Sequence, residues 1–464
     1  MSQSVSRSAT LLVVCAAHFL MPFMMSAVGV ALPAIGREFA ASARQLGLVE
    51  TTYVLSASIF LLTMGRLGDI HGRRRVFQSG IALFTLAGGL LSQAWSIESL
   101  IAFRFLQGMG GAMVMSTSLA IVVSVFPGAE RGKALGIAVA AVYAGISCGP
   151  LIGGALVASF GWRAIFYCSI PLGLAAFLVT LRKLRGEWAE AQGEPFDWRG
   201  SLVYAAGILL LISGASNLEQ GYWAWLLLGL GGVVLALFVA LERRAPFPLL
   251  NIALLTGNRV FALSNLAALF NYAATFGVTF FLSLYLQYVK GFDPRQAGLI
   301  LILQPVTQSL LSPACGRLSD RIPAPWVATA GMALCAAGLG LAASVSASSP
   351  LGLILALLAL LGLGFALFSS PNMSVIMGSV APRYLGVATG LSASMRTLGM
   401  MTSMTIITII FSVLMGDRPV AGDTLPDFLL SMRSALLVFC GLCVLGIFCS
   451  VGRAVPGRRA TDDG

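Results

Sequence analysis

From residue 9 to residue 451 the sequence is a succession of fourteen apolar runs separated by short polar connections, at about 9–32, 45–64, 76–95, 99–123, 133–157, 163–182, 200–216, 224–241, 260–288, 295–314, 325–344, 351–370, 386–414 and 430–451. An apolar run of about 18 residues or more, wound as an α-helix, is long enough to cross a bilayer, so the pattern predicts an all-α polytopic membrane protein with fourteen spanning helices. Composition agrees: 58% of the 464 residues are hydrophobic and 10% are charged, with mean hydropathy +0.90, far outside the range of a soluble domain. The lipid bilayer is thus the first partner. The first run begins after Arg7, is too long for a removable signal and lacks a small-residue cleavage site, so it reads as the first spanning helix.

A net charge of +11 and a pI near 9.6 would suit a nucleic-acid binder, but the basic residues stand singly or in short groups between apolar runs and form no single patch. No nucleic-acid partner is expected, and the charges report topology instead. With the N-terminus in the cytoplasm, 20 of the Lys and Arg residues fall in inside segments and 7 in outside ones. The positive-inside rule then puts both termini in the cytoplasm of a multi-pass cell-membrane protein.

The polar connection after the second run is Gly65-Arg66-Leu67-Gly68-Asp69-Ile70-His71-Gly72-Arg73-Arg74-Arg75, and a shorter echo, Gly316-Arg317-Leu318-Ser319-Asp320-Arg321, follows the tenth run 251 residues later. Parallel internal repeats of this kind mark one class of transporter. A basic stop-transfer loop is the plainer reading of either copy alone, but it does not account for two copies at matching places. Gly65 suits close approach of a helix end to its neighbour, Asp69 supplies an anion at the membrane surface, Gly72 permits a tight reversal, and Arg73 and Arg74 hold the loop in the cytoplasm. If each half has six helices, the second begins at the ninth run and the seventh and eighth are inserted. The expected division is an N-terminal six-helix bundle at 1–182, linkers with two inserted helices at 183–258, and a C-terminal six-helix bundle at 259–464.

Residue chemistry narrows function by exclusion. The eight cysteines lie in or beside apolar runs and the chain has two histidines, His18 and His71, so neither a disulfide framework nor a metal site is expected. No phosphate-binding G-x-x-x-x-G-K-[ST] loop and no catalytic cluster at membrane depth is present, so neither an ATP-driven pump nor an enzyme is expected, and no cofactor.

Charges inside the membrane are informative, because burying one in lipid costs at least about 2.5 kcal/mol and it must face protein or water. Arg104 lies roughly 8 Å inside the outer end of the fourth run, with Glu50 at similar depth in the second, and Arg396 lies roughly 15 Å deep in the thirteenth. Glu50 and Arg104 are candidate partners, Glu50 can titrate and is the candidate proton carrier, and either arginine could instead be a structural clamp on helix carbonyls. Gly145, Gly149 and Gly153 share one face of the fifth helix, with Gly154 beside them, and Pro150 removes a backbone donor, so this helix presents a bent packing seam. Candidate cavity residues are Met21, Met24, Gln107, Met113, Phe270, Asn271, Tyr285, Gln304 and Met395, soft and polar side chains that fit a broad cavity better than a tight ionic site, methionine adapting to varied apolar shapes.

These stretches resemble the major facilitator superfamily, and within it the fourteen-helix drug:proton antiporters that include multidrug and quaternary-ammonium exporters. Gly65 to Arg75 resembles the family's cytoplasmic gating motif, matched at Gly65, Leu67, Asp69, Gly72, Arg73 and Arg74. Arg104-Phe105-Leu106-Gln107-Gly108 resembles its intramembrane arginine motif, and Gly145 to Gly154 its antiporter motif, whose bend is thought to seal the exporter against leak. Trp162-Arg163-Ala164-Ile165-Phe166 and Ile170-Pro171-Leu172-Gly173 resemble a segment typical of the fourteen-helix branch, with Ser169 where the family carries asparagine. Arg396 with Gly399 resembles a pattern in its penultimate helix. The chain departs at Met24, where many members carry an intramembrane Asp.

The resemblance implies a secondary transporter that works as a monomer and exports amphipathic, drug-like compounds, driven by the proton gradient through alternating access. Two alternatives stay open: a carrier for one defined metabolite with no or different ion coupling, which the missing acid at Met24 favours, and a transport-dead membrane sensor or scaffold, against which the intact Gly65 to Arg75 stretch argues. Asp69 is expected to meet a helix N-terminus or an arginine of the opposite half and so to stabilise the outward-open form.

Overall fold

The computed structural model describes residues 7–126, 128–184, 186–218, 221–250, 252–380, 385–416 and 418–454. The side chain of Asp320 lies outside the described residues. Fourteen segments in the described chain are long and apolar enough to cross a membrane, matching the fourteen expected. The first half is α1 (Arg7–Phe39), α2 (Ala43–His71), α3 (Arg73–Ser92), α4 (Ile97–Val125), α5 (Gly128–Phe160) and α6 (Arg163–Lys183). Next come α7 (Trp198–Ser216), α8 (Tyr222–Glu242) and the short α9 (Ile252–Gly257). The remainder is α10 (Arg259–Thr275), α11 (Val278–Leu284), α12 (Pro294–Leu301), α13 (Leu303–Arg321), α14 (Ala324–Ala343), α15 (Leu351–Gly378), α16 (Leu385–Leu414) and α17 (Leu425–Ala454).

Several helices start where side chains replace missing backbone acceptors. Ser42 caps α2 in a reciprocal box with Gln45, and Asp293 does the same for α12 with Gln296. With its cap at Ser42, α2 begins early enough that Glu50 lies two turns inside it. Gly72, at φ 114°, is the reversal between α2 and α3, a conformation that favours glycine.

Two spans expected to be continuous are broken inside the membrane. The ninth divides at Phe276 and Gly277, where the Gly277 N–H donates to Ser403 Oγ at 2.9 Å, and ends in a π-helical turn at Tyr285–Val289. The tenth divides at Ile302. Pro305 has no N–H to offer the Leu301 carbonyl, so the ladder lapses there.

Within the first half α1 packs on α5, α2 and α3 on α4, and α3 on α6; in the second, α14 packs on α15 and α17, α13 on α15, and α10 on α16 and α17. Helices α7 and α8 pack on each other, α7 also touching α2 and α16. The Tyr204 hydroxyl donates to the Ser58 carbonyl at 3.3 Å, tying α7 to α2, while α8 exposes Trp225, Leu226, Leu230, Val233 and Leu237. Such an apolar face suits lipid.

Candidate functional site

The two halves are zipped together toward one end. We call that end the Ser42 face, and the opposite end, which carries the Gly65 to Arg75 loop, the Gly72 face. At the Ser42 face Ser283 Oγ donates to the Gly29 carbonyl at 2.8 Å, Gln287 Nε2 to Val30 O at 3.1 Å, and the Ala43 N–H to Arg418 O at 3.1 Å. Thr51 and Thr408 share a hydroxyl hydrogen bond at 3.1 Å. Backbones touch as well: a Cβ on Gly154 would lie 2.4 Å from the Pro294 carbonyl, and one on Gly298 would lie 2.0 Å from that of Pro150. These hydrogen bonds, with that from the Tyr288 hydroxyl to the Pro33 carbonyl at 3.4 Å, lie at mid-membrane or toward the Ser42 face.

The antiporter-like glycines of α5 therefore do two jobs. A Cβ on Gly145, Gly149 or Gly153 would meet Phe19 O at 2.3 Å, Ser26 Cβ at 2.5 Å or Ala27 Cβ at 2.7 Å, so these three make the α1 seam within one half. Gly154 makes the contact across halves. The resemblance joined all four in one motif, and the structure divides them by face.

Beneath the zipped end lies a cavity of about 1500 Å³, counting its open mouth, between α1, α2, α4 and α5 on one side and α10, α11, α13, α15 and α16 on the other. Most of its wall is apolar. Glu50 and Arg396 are its charged lining residues, with Ser26, Tyr53, Tyr143, Tyr272, Thr275, Thr279, Gln304, Gln308 and Thr397 as polar ones.

Glu50 is buried, and one of its oxygens, Oε2, accepts from Arg104 Nη2 at 3.3 Å. Its other oxygen, Oε1, has no hydrogen-bond partner. Arg104 is fully buried behind the wall and is held by four groups: Glu50, the Val49 carbonyl at 3.1 Å, Gln107 Oε1 at 2.8 Å, and the Tyr53 ring, whose centroid lies 4.4 Å away. It is both the partner of Glu50 and a clamp on a helix carbonyl, the two roles that sequence left open. Arg396 faces the cavity from α16, beside Tyr272 of α10 and Tyr143 of the other half, which line the same wall.

Of the cavity candidates, the structure places Met21 and Gln304 on the wall. The rest lie elsewhere, for identifiable reasons. Met24 is fully buried in the main apolar core. Gln107 is taken up by Arg104, and Met113 packs at the close α3–α4 crossing beside Gly80. Phe270 packs toward Gly446 of α17, and Asn271 is buried inside the second half. The Tyr285 hydroxyl donates to Ser346 O at 2.8 Å near the Ser42 face, and Met395 sits in a separate core with Phe261, Ile376 and Leu391.

At the Gly72 face the Asp69 carboxylate pairs, in this form, with Arg73 of its own loop at 2.7 Å; the contact expected with the opposite half belongs to the outward-open form. The partners of the loop come instead from the 183–199 linker, whose role sequence reading missed. Arg66 pairs with Glu194, Arg73 Nη1 with Glu190 at 2.8 Å, and the Arg74 N–H donates to Glu187 at 2.8 Å. Backbone bonds from Arg73 N to Trp188 O and from Ala191 N to Asp69 O, both 2.9 Å, complete the clasp. The signal was available as three glutamates against a run of arginines. Gly65 is less critical than expected, since a Cβ there would make an ordinary 3.5 Å contact with Ser116, whereas Gly68 is the close approach, 2.8 Å from Thr117.

Among the described residues no group of three His, Cys, Asp or Glu side chains converges as a metal site. His18 donates or accepts at Ser118 Oγ, 2.6 Å, and meets Ala138 O at 3.2 Å, joining α1 to α4 and α5.

Comparison with known proteins fits this architecture. The family described as Major Facilitator Superfamily matches residues 14–241 and 264–463. The chain is 33% identical over 389 residues to the riboflavin transporter RibZ of Clostridioides difficile (strain 630), covering 84% of each protein. It is 31% identical over 426 residues to the tetracenomycin C resistance and export protein of Streptomyces glaucescens, covering 90% of this chain and 77% of that protein. It is 33% identical over 378 residues to the multidrug resistance protein Stp of Mycobacterium tuberculosis (strain CDC 1551 / Oshkosh), covering 80% and 70%. A bacterial homologue of the human lysosomal transporter Spinster, solved in an inward-facing, unoccupied conformation, superposes with a TM-score of 0.68 at 17% identity over 97% of both chains. With two helical halves about a central cavity and a family match along most of its length, the chain belongs to the major facilitator superfamily of membrane transporters.

Proposed function

We propose that the protein exports amphipathic, drug-like compounds in exchange for protons, working as a monomer by alternating access in the cell membrane. The observation that carries this reading is Glu50: it is the one carboxylate on the cavity wall among the described residues, with one oxygen on Arg104 and the other unpartnered. A group that trades a proton between two sides must reach each in turn, and Glu50 lies between the zipped face and the cavity. With the Gly72 face in the cytoplasm, as the positive-inside rule has it, the present form is open inward. Loading from the cytoplasm then occurs with Glu50 ionised against Arg104. Opening of the Ser42 face exposes Glu50 to the outside, where a proton neutralises it and weakens the pair, and the return to the inward form delivers that proton to the cytoplasm. Each unit charge moved is worth about 2.3 kcal/mol per 100 mV.

The relatives named for multidrug resistance and for tetracenomycin C export support an exporter. A second reading, a carrier for one metabolite without proton coupling, is favoured by Met24 in place of the intramembrane acid and by the relative named as a riboflavin transporter. Proteoliposomes offered a panel of amphipathic dyes, with and without an imposed pH gradient, separate the two. Antiport gives accumulation opposite to proton flow that a protonophore collapses. Dye flux that is equal with and without the gradient overturns the coupling.

A further inference from the structure

We infer that the cavity selects amphipathic molecules carrying an anionic headgroup, such as an aromatic carboxylate or phenolate, which docks on Arg396, and that it disfavours organic cations. This rests on the cavity being the substrate path and does not depend on proton coupling.

The charge inventory is short. Glu50 and Arg396 line the cavity and Arg104 stands directly behind its wall. The Glu50 charge is met by Arg104 at 3.3 Å. That of Arg396 is met by no carboxylate: Tyr272 stands beside it on the wall, and among the described residues no acid lies within ion-pair distance. Sequence closes the remaining possibility, because every Asp and Glu other than Glu50 stands between or beyond the fourteen apolar runs. The cavity therefore carries one net positive charge with Glu50 ionised, and two when Glu50 is protonated.

An organic cation entering it must approach this field with Glu50 already engaged. An anion meets a guanidinium fork whose geometry suits a carboxylate, in a setting whose apolar walls strengthen the attraction. The flanking side chains, Phe276, Phe280, Met400 and Met404, suit an aromatic body beyond the headgroup. Anion exit and proton entry both move positive charge inward, so an inside-negative potential drives the two together.

The test uses two planar xanthene dyes of similar shape and opposite charge, fluorescein and rhodamine 123. Binding to the full chain in neutral phosphatidylcholine nanodiscs is read by fluorescence anisotropy, with empty discs subtracted. The parental protein should bind fluorescein at least about tenfold more tightly than rhodamine 123. Arg396→Gln should erase that preference by weakening fluorescein and relieving the penalty on rhodamine 123, whose retained or tighter binding reports an intact cavity, and Arg396→Lys should keep part of it. Equal or reversed preference in the parental protein, binding of neither dye, or a preference that survives Arg396→Gln overturns the proposal. Flux in proteoliposomes is scored separately. Fluorescein that binds through Arg396 but is never moved would defeat the export reading and leave the charge selectivity standing, whereas rapid rhodamine flux indifferent to Arg396 would do the reverse.

Discussion

Gly154→Ala should destabilise the form described above without damaging the fold. Its added Cβ would stand 2.4 Å from the Pro294 carbonyl and 3.3 Å from Arg295 Cα, across the junction of the two halves. Relief requires the Ser42 face to part by about an ångström, since uncrowded carbon contacts lie near 3.5 Å. Overpacking of this kind costs about 1–3 kcal/mol, and the cost falls on the zipped form alone. The ratio of zipped to open molecules should therefore drop by roughly 5- to 150-fold. Gly153, one residue earlier, is the control: its Cβ would meet Ala27 at 2.7 Å within the same half, so Gly153→Ala should lower thermal stability and leave the ratio alone. Spin labels at the exposed positions Gln93 and Asp423, one in each half, on a cysteine-free background, would report the distance distribution across the Ser42 face. A distribution that Gly154→Ala leaves unchanged, or that Gly153→Ala shifts equally, would refute the assignment of Gly154 to the junction.

Three other outcomes follow from the same geometry. Asp69→Asn releases Arg73 from its 2.7 Å pair and should cut the initial transport rate at least about tenfold with expression and substrate binding kept; a parental rate would remove Asp69 from the gate. Glu190→Gln combined with Glu194→Gln takes the linker acids from Arg73 and Arg66, pairs worth about 0.2–1 kcal/mol each at a partly exposed site. The same spin-label distance should then shift modestly toward the open Ser42 face, and no shift would show that the clasp is indifferent to conformation. Arg104→Met leaves Glu50 buried without its partner and should destabilise the protein by about 3–5 kcal/mol, with much of the loss recovered in the Arg104→Met, Glu50→Gln double variant; a double variant no more stable than the single one would contradict the pairing.

The spans and the Glu50–Arg104 pair were legible because each depends on local quantities, the length of an apolar run and the depth of a charge along it. The wall of the cavity was not. Helix α1 is apolar on nearly every side, so nothing in the sequence says which arc faces substrate, and Met21 reaches the cavity while Met24, less than a turn away, is buried in the core. Tyr53, three residues beyond Glu50 on the same helix face, could have been found from that spacing. The break at Ile302 was half visible, since a proline at 305 permits a bend in a helix but does not say how the chain takes it. The clasp on the arginine loop was hidden for a different reason. Glu187, Glu190 and Glu194 are ordinary linker residues until the fold brings that linker against a loop more than a hundred residues earlier.

The account turns on Glu50 as the group that exchanges a proton for substrate, and a single variant addresses it. In proteoliposomes, Glu50→Gln should abolish accumulation of substrate against its gradient in response to an imposed pH difference, while downhill exchange of substrate across the same membrane continues at close to the parental rate. A Glu50→Gln protein that still concentrates substrate in response to protons would contradict the central claim.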